Sequence, residues 1–147
     1  MKIALISSYG GHLNEIMQIV DVFKSYDYFF ITYDNFRTRG MNEEKHLMDN
    51  IGKNPIKMIK AFIKFYSIYR NERPDVIVST GSEIAIPAFI LAKIMGIRSV
   101  YIETWCRVKT RSGTGKIVYY FSDIFLVQWP DLLDLYGPKA QYYGGVI

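Results

Sequence analysis

Short apolar runs alternate along the chain with longer segments in which apolar residues recur at helical spacing. The runs are rich in β-branched and aromatic residues and apolar at nearly every position, which is typical of parallel strands covered by helices on both faces. They predict strands over residues 2–7, 28–33, 76–79, 99–102, 124–128 and, from a weaker pattern, 141–143. The segments between them predict helices over residues 13–25, 55–70, 83–95 and 113–121, and a short helical turn over 131–135.

The order of these elements predicts the fold. Strands that alternate with helical segments are typical of βαβ units, so we expect an α/β fold with a doubly wound, Rossmann-like parallel sheet. Residues 35–52 are polar and predict a loop with a short helix. No repeat, linker or low-complexity tract interrupts the pattern, and residues 1–147 are predicted to form a single domain.

Composition narrows the possible chemistry. Cys106 is the single cysteine and the sequence has no cluster of histidines, so we expect no disulfide, no metal site and no cofactor. The formal net charge of +4 suits anionic partners such as diphosphates and membrane surfaces, and we expect no nucleic-acid partner. The first apolar run is too short for a signal peptide or a membrane span, which predicts a cytoplasmic protein.

The turn after the first predicted strand is a candidate site. Ligands of open parallel sheets bind beyond the carboxyl ends of the strands, where Gly10 and Gly11 fall. Glycines let the backbone approach a ligand closely, and a helix N-terminus attracts anions, so the pair predicts a diphosphate cradle. His12 falls near the first helical turn, where the helix dipole favours a neutral imidazole that can act as a base. The alternative is a simple tight turn with His12 as a capping or exposed residue.

A basic strip follows the fourth predicted strand and should emerge at the same edge of the sheet. It has four cations among small hydroxyl residues, namely Arg107, Lys109, Arg111 and Lys116. Arginine supplies forked donors and serine or threonine short ones, which together suit a phosphate-bearing ligand. A nucleoside-triphosphate loop is excluded, because Thr110 stands where its first glycine should be and Ile117 where its final Ser or Thr should be. The alternative is a solvated loop whose charges only aid solubility.

Glu103 ends the strand that precedes this basic strip. Its carboxylate is placed either to orient a substrate hydroxyl or to neutralise Arg107, and the sequence leaves both roles open. Glu103 therefore joins His12 as a candidate catalytic residue.

The predicted helix over residues 55–70 carries more apolar surface than packing on a sheet requires. Apolar residues cover well over half of its circumference, divided by one row of lysines, Lys57, Lys60 and Lys64. The surplus predicts contact with a membrane or a partner protein, with Phe62 and Ile63 as docking residues and the lysines at lipid headgroups. The alternative is a deeply buried core helix with its lysine row in water.

Together these motifs resemble a known family. They run in order through the chain as Ser7-Ser8-Tyr9-Gly10-Gly11-His12-Leu13, Thr80-Gly81 with Pro87, Tyr101-Ile102-Glu103 with Arg107-Val108, Thr114-Gly115-Lys116 and Val127-Gln128-Trp129-Pro130. The pattern is similar to the acceptor-side subunit of the split N-acetylglucosaminyltransferase that extends dolichyl-diphosphate-N-acetylglucosamine, and to its bacterial exopolysaccharide relatives of PssD or CpsF type. The Gly-Gly-His turn also resembles that of the lipid-diphosphate N-acetylglucosaminyltransferase of peptidoglycan synthesis.

The resemblance implies a function. It implies the N-terminal half of a GT-B glycosyltransferase, which binds a lipid-diphosphate saccharide acceptor while a separate donor-binding subunit holds the UDP-sugar. His12 would act as the base, and the acceptor diphosphate would be bound by Ser8, Gly10, Gly11, Thr80, Gly81, Arg107, Lys109 and Lys116. The eukaryotic subunit has an N-terminal membrane anchor, whereas this sequence opens on its first strand, so we expect residues 55–70 to make peripheral contact at the inner face of the cell membrane.

Two other functions stay open at the level of sequence. The chain could be a non-catalytic membrane adaptor that recruits and stabilises its partner through residues 55–70. It could also be a free-standing Rossmann-type nucleotide-binding enzyme, which predicts saturable nucleotide binding by the isolated chain.

Overall fold

A computed structural model describes residues 1–146 and contains one sheet of seven parallel strands. The strands are β1 (Lys2–Ser7), β2 (Asp27–Tyr33), β3 (Lys45–Met48), β4 (Val76–Ser79), β5 (Arg98–Ile102), β6 (Ile124–Val127) and β7 (Ala140–Tyr142). Their order is β3-β2-β1-β4-β5-β6-β7. The direction of winding therefore reverses between β1 and β4, where Ile6 is in register with Ser79.

Helices cover both faces of the sheet, which confirms the doubly wound α/β fold. They are α1 (Gly11–Gln18), α2 (Phe36–Arg39), α3 (Pro55–Glu72), α4 (Ala85–Met95), α5 (Gly113–Val118) and α6 (Asp131–Tyr136). Buried side chains of α3 and α4 such as Phe65 and Phe89 pack on one face of the sheet. Leu13 and Ile16 of α1 pack on the other face, against Leu5 and Phe30.

Two helix ends follow directly from local sequence. The Asn54 side chain accepts hydrogen bonds from the backbone N–H groups of Ile56 and Lys57, and Pro55 occupies the first helical position of α3. Gly96 ends α4 in the left-handed conformation, with φ of 72°. Ser82 precedes α4 but does not cap it, because this residue has φ of 73° and its hydroxyl donates to the Glu83 carboxylate.

The structure corrects two predicted segments. Residues 35–52 contain the predicted short helix, but also β3, an edge strand whose mixed sequence Lys-His-Leu-Met hides the strand pattern. The helix predicted over 13–25 begins two residues earlier and ends at Gln18, after which Val20–Phe23 forms a 3₁₀ turn. The earlier start places His12 inside the first turn of α1. Of the helices in residues 1–146, none has the length and hydropathy to cross a bilayer.

Candidate functional site

The candidate site lies where the direction of winding reverses. The turn from β1 to α1 and the turn from β4 to α4 emerge side by side at the carboxyl edge of the sheet. The crevice between these two turns is the usual ligand position of doubly wound sheets. Gly10 precedes α1 with φ of 85°, a conformation that side chains with a Cβ rarely adopt, so the glycine is required by the turn itself.

His12 is held by two hydrogen bonds that join the two turns. Its Nδ1 lies 3.0 Å from the carbonyl oxygen of Thr80, and the Thr80 hydroxyl donates to the His12 carbonyl oxygen over 2.8 Å. A carbonyl oxygen only accepts, so Nδ1 must carry the hydrogen. In the neutral ring Nε2 is then the basic nitrogen, and it has no hydrogen-bond partner within residues 1–146.

Gly81 makes room for the imidazole. A Cβ at this position would lie 2.9 Å from His12 Cε1 and 3.0 Å from Nδ1, and its φ of 122° is itself a glycine conformation. The same Cβ would approach the Tyr101 hydroxyl to 3.3 Å. Gly81 therefore acts through His12, by letting the ring lie against the backbone of the β4–α4 turn.

Glu103 is fully buried and bonded through both carboxylate oxygens. Oε1 accepts from the Thr104 backbone N–H, while Oε2 accepts from the Tyr136 hydroxyl and from the Ser112 hydroxyl and N–H. Burial raises the pKa of Tyr136, and the hydrogen bond to Glu103 is the second-largest cause of the rise. The predicted neutralisation of Arg107 is wrong, since within residues 1–146 no ion pair joins Arg107 to Glu103. The Glu103 carboxylate is instead bonded to Thr104, just before the basic strip, and to Ser112 within it. It therefore fixes the loop that carries these cations, which we call the basic loop.

Gly115 is needed by this network. A Cβ there would lie closer than any real contact to the Tyr136 hydroxyl and the Glu103 carboxylate, and 2.7 Å from the Ser112 hydroxyl. The glycine in Thr114-Gly115-Lys116 thus serves the packing of α5 over Glu103.

A cavity of about 280 Å³ opens between the two turns and the basic loop. His12 and Arg107 line it, as do residues that the sequence analysis did not propose as ligands, which are Ser82, Glu83, Tyr101, Thr104, Ser112, Gly113 and Thr114. Lys109 and Lys116 are exposed and do not line it, so their role in diphosphate binding stays a prediction. Ser8 is buried beneath the first turn, where its hydroxyl donates to the Tyr9 carbonyl oxygen.

A larger groove of about 890 Å³ lies at the opposite, amino-terminal edge of the sheet. Arg70, Arg73 and Arg98 line it, and none of the proposed acceptor-site residues does. Although this groove is larger, it is a poor candidate for the active site, because neither His12 nor Glu103 lines it. The small cavity at the carboxyl edge is therefore the better candidate for chemistry.

Glu83 and Glu15 are the acidic residues near the site that sequence reasoning missed. Glu83 lines the cavity, where it accepts hydrogen bonds from the hydroxyls of Ser82 and Tyr33. Glu15 lies on α1, three residues after His12, and is buried although it lies away from the apolar stripe that Leu13 and Ile16 form. The helical pattern therefore gave no signal for Glu15, whose burial comes from its contact with Thr104.

Helix α3 presents two exposed rows. The apolar row, which we call the α3 stripe, consists of Ile56, Ile59, Ile63 and Tyr66. The lysine row, Lys57, Lys60 and Lys64, runs beside it, and Lys64 also donates to the Leu47 carbonyl oxygen. Phe62 is half-buried and packs against the core, so Ile63 remains exposed as a docking residue whereas Phe62 is mostly a packing residue. The core-helix alternative is wrong, because the stripe lies in solvent.

Comparison with known proteins identifies the family. The sequence profile of the family described as "Oligosaccharide biosynthesis protein Alg14 like" matches residues 44–146. The chain belongs to this Alg14-like family. It is 36% identical over 99 residues to the UDP-N-acetylglucosamine transferase subunit ALG14 of Rattus norvegicus, an alignment that covers 59% of this chain and 45% of the relative. The mouse protein of the same name is 25% identical over 182 residues, covering 100% of this chain and 83% of the relative.

Solved structures of longer chains share the fold of this Alg14-like chain. It matches MurG of Acinetobacter baumannii with a TM-score of 0.82 and 14% identity, covering 98% of this chain and 46% of MurG. It matches the UDP-GlcNAc 2-epimerase of Methanocaldococcus jannaschii with a TM-score of 0.78 and 16% identity, covering 99% and 46%. The Alg14-like chain thus spans about half the length of these structures.

Proposed function

We propose that this chain is the acceptor-binding, membrane-associated subunit of a two-component glycosyltransferase. The complex would transfer N-acetylglucosamine, or the sugar of another UDP-sugar, to a lipid-diphosphate-linked saccharide at the inner face of the cell membrane. The observation that carries the proposal is His12, which lines the same cavity as Arg107 and whose Nε2 has no hydrogen-bond partner within residues 1–146. The names of the ALG14 relatives and the half-length match to MurG support a subunit that needs a donor-binding partner.

The residues that line this cavity suit an inverting transfer. His12 Nε2 takes the proton of the acceptor hydroxyl, the hydroxyl oxygen bonds to the anomeric carbon, and the bond from that carbon to UDP breaks. Arg107, with the N–H groups at the start of α1, would hold the acceptor diphosphate. Glu103 contributes by fixing the loop that carries Arg107, because both of its oxygens are already bonded to protein donors.

The diphosphate cradle can be tested at Gly11. A Cβ at Gly11 would meet no atom within 4 Å and the residue is helical, so Gly11→Ala should fold normally. If the acceptor approaches this backbone closely, the added methyl group should raise the acceptor KM roughly tenfold to 100-fold, because small misplacements near a reacting centre are costly. Steady-state kinetics of the reconstituted pair with a lipid-diphosphate acceptor would measure the change.

Gly40→Ala is the matched control for that experiment. Gly40 ends α2 with φ of −80°, and a Cβ there would make only ordinary contacts, the closest at 3.6 Å. It should leave the acceptor KM unchanged. Equal KM values for Gly11→Ala, Gly40→Ala and the parent chain would show that no ligand group lies against Gly11.

Membrane contact through the α3 stripe is a separate prediction. Ile59 and Ile63 are 62% and 65% exposed. Burying an isoleucine side chain contributes about 1.5–3 kcal/mol, so Ile59→Asp or Ile63→Asp should weaken binding to anionic phospholipid vesicles by about tenfold or more. Vesicle co-sedimentation would measure it.

Val22→Asp serves as the control for vesicle binding. Val22 is 68% exposed in the 3₁₀ turn that follows α1, on the other face of the sheet from α3. The substitution adds the same charge but should not change vesicle affinity. Equal loss of binding in all three variants would point to net charge rather than to the α3 stripe as the cause.

The exposed α3 stripe also favours a second candidate function, the non-catalytic membrane adaptor. Under that reading the chain recruits its partner through α3, and the partner carries all of the chemistry. Loss of His12 would then leave activity intact, whereas aspartate in the α3 stripe would abolish recruitment. The two functions therefore differ in which of these variants loses turnover in the assembled complex.

A further inference from the structure

Glu15 is a buried carboxylate that the proposed chemistry does not use. Glu15 is 2% exposed and lies on α1, the helix that carries His12. Oε1 accepts a hydrogen bond of 2.5 Å from the Thr104 hydroxyl, and Oε2 is buried without a hydrogen-bond partner in the described part of the chain. A buried carboxylate with an oxygen that lacks a partner is costly, so its presence calls for a physical explanation.

The surroundings of Glu15 favour the uncharged acid. Desolvation by burial raises the pKa of Glu15 and is the largest effect. The Thr104 hydrogen bond, the nearby His12 ring and the Trp105 backbone N–H oppose the rise, and the buried Glu103 adds to it. Within residues 1–146 no lysine or arginine forms an ion pair with it. If Glu15 acts as a hydrogen-bond acceptor and not as a charge, glutamine can replace it.

Thr104 is the point at which Glu15 reaches the basic loop. The Thr104 hydroxyl accepts from the Cys106 backbone N–H over 3.4 Å, and the Thr104 carbonyl oxygen accepts from the Arg107 N–H over 3.1 Å. The Thr104 N–H is bonded to Glu103. Thr104 therefore organises the turn from which the Arg107 side chain leaves the sheet, and Glu15 is its link to α1.

We propose that Glu15 is a positioning residue that, through the Thr104 hydroxyl, ties the helix bearing His12 to the turn bearing Arg107. It thereby fixes the spacing between the base and the cation that binds the acceptor diphosphate. The inference rests on the proposed function of that site, but the tether itself is a property of the folded chain. It can therefore be measured with and without turnover.

The kinetic test compares Glu15→Leu, Glu15→Gln and Thr104→Val in the reconstituted pair. Glu15→Leu and Thr104→Val should each raise the acceptor KM about threefold to tenfold, the effect of losing one hydrogen bond, and leave the KM for the UDP-sugar unchanged. Because both remove the same bond, the double variant should be no worse than the poorer single variant within about twofold. Glu15→Gln keeps the accepting oxygen and should behave like the parent chain.

Thr32→Val provides the control for altering a buried polar group as such. Thr32 is fully buried on β2, and its hydroxyl has no hydrogen-bond partner in the described residues. Its KM values should equal those of the parent chain. Additive effects of Glu15→Leu and Thr104→Val, or a Glu15→Gln variant as impaired as Glu15→Leu, would overturn the proposal.

Amide hydrogen exchange separates this inference from the proposed function. Glu15→Leu should speed exchange at Cys106 and Arg107 by about threefold or more, whereas Glu15→Gln and Thr32→Val should not. If the parent pair shows no transferase activity while exchange changes in this way, the tether stands and the proposed function fails. Unchanged exchange at both amides in Glu15→Leu would overturn the tether whatever the activity.

Discussion

Replacing His12 with alanine is expected to lower kcat of the reconstituted transferase by roughly 100-fold or more, the usual effect of removing a general base. The reason lies in the fixed tautomer, because the Thr80 carbonyl oxygen holds the Nδ1 hydrogen and leaves Nε2 as the proton acceptor. The acceptor KM should change much less than kcat, since the ring acts mainly on the transition state. Initial rates over a range of lipid-diphosphate acceptor concentrations would separate the two effects.

His46→Ala is the matched control, because the chain contains two histidines. His46 lies on the edge strand β3, where its Nε2 is 2.8 Å from the Glu72 carboxylate. Glu72 also accepts from Lys2 and has a pKa below its usual range, for which the Lys2 hydrogen bond is the largest cause. Removing this surface imidazole should leave kcat within about twofold of the parent. A His12→Ala enzyme with near-normal kcat would exclude the base and favour the adaptor.

The strands and helices that were predicted correctly are those with a regular pattern of buried apolar residues. Strands such as β1 and β4 are nearly all apolar because helices cover both of their faces, and a run of that kind is legible without a structure. The position of Gly10, Gly11 and His12 beyond the carboxyl edge of the sheet followed from the predicted strand order, and their role as site residues stays a prediction. The structure places His12 in the predicted first turn of a helix at that edge.

The failures have physical causes. Strand β3 has a neighbour on one side only and is partly exposed, so its side chains follow no simple apolar pattern. For Glu103 the sequence left two roles open, to orient a substrate hydroxyl or to neutralise Arg107. In the structure its carboxylate accepts from the hydroxyl of Tyr136, which is 33 residues away. Such long-range pairing depends on how α6 packs, and neither composition nor spacing encodes it locally.

Glu15 shows a different limit of sequence reasoning. The helical period places Glu15 away from the apolar stripe of α1, and its partner Thr104 is 89 residues away. Only the sheet order, which brings the β1–α1 and β5–α5 connections to one edge, joins them. The burial of Glu15 therefore could not be predicted without the fold.

We propose that this chain supplies one wall of an active site and that a partner supplies the other. The deciding measurement is sugar transfer from labelled UDP-N-acetylglucosamine to a synthetic lipid-diphosphate N-acetylglucosamine acceptor. This chain, a candidate partner with the UDP-sugar-binding half of a GT-B enzyme, and the co-purified pair would be assayed in parallel. UDP-galactose and UDP-glucose in the same assay would identify the donor if it is another UDP-sugar.

We predict product with the pair and none above background with either chain alone. The difference should exceed 100-fold, because a separated half-site lacks both the donor and the geometry that brings the reactants together. Acceptor should still bind to this chain alone, and saturable binding of a UDP-sugar to it should not occur. Transfer by the partner alone at the rate of the pair would contradict the account, as would transfer by this chain alone.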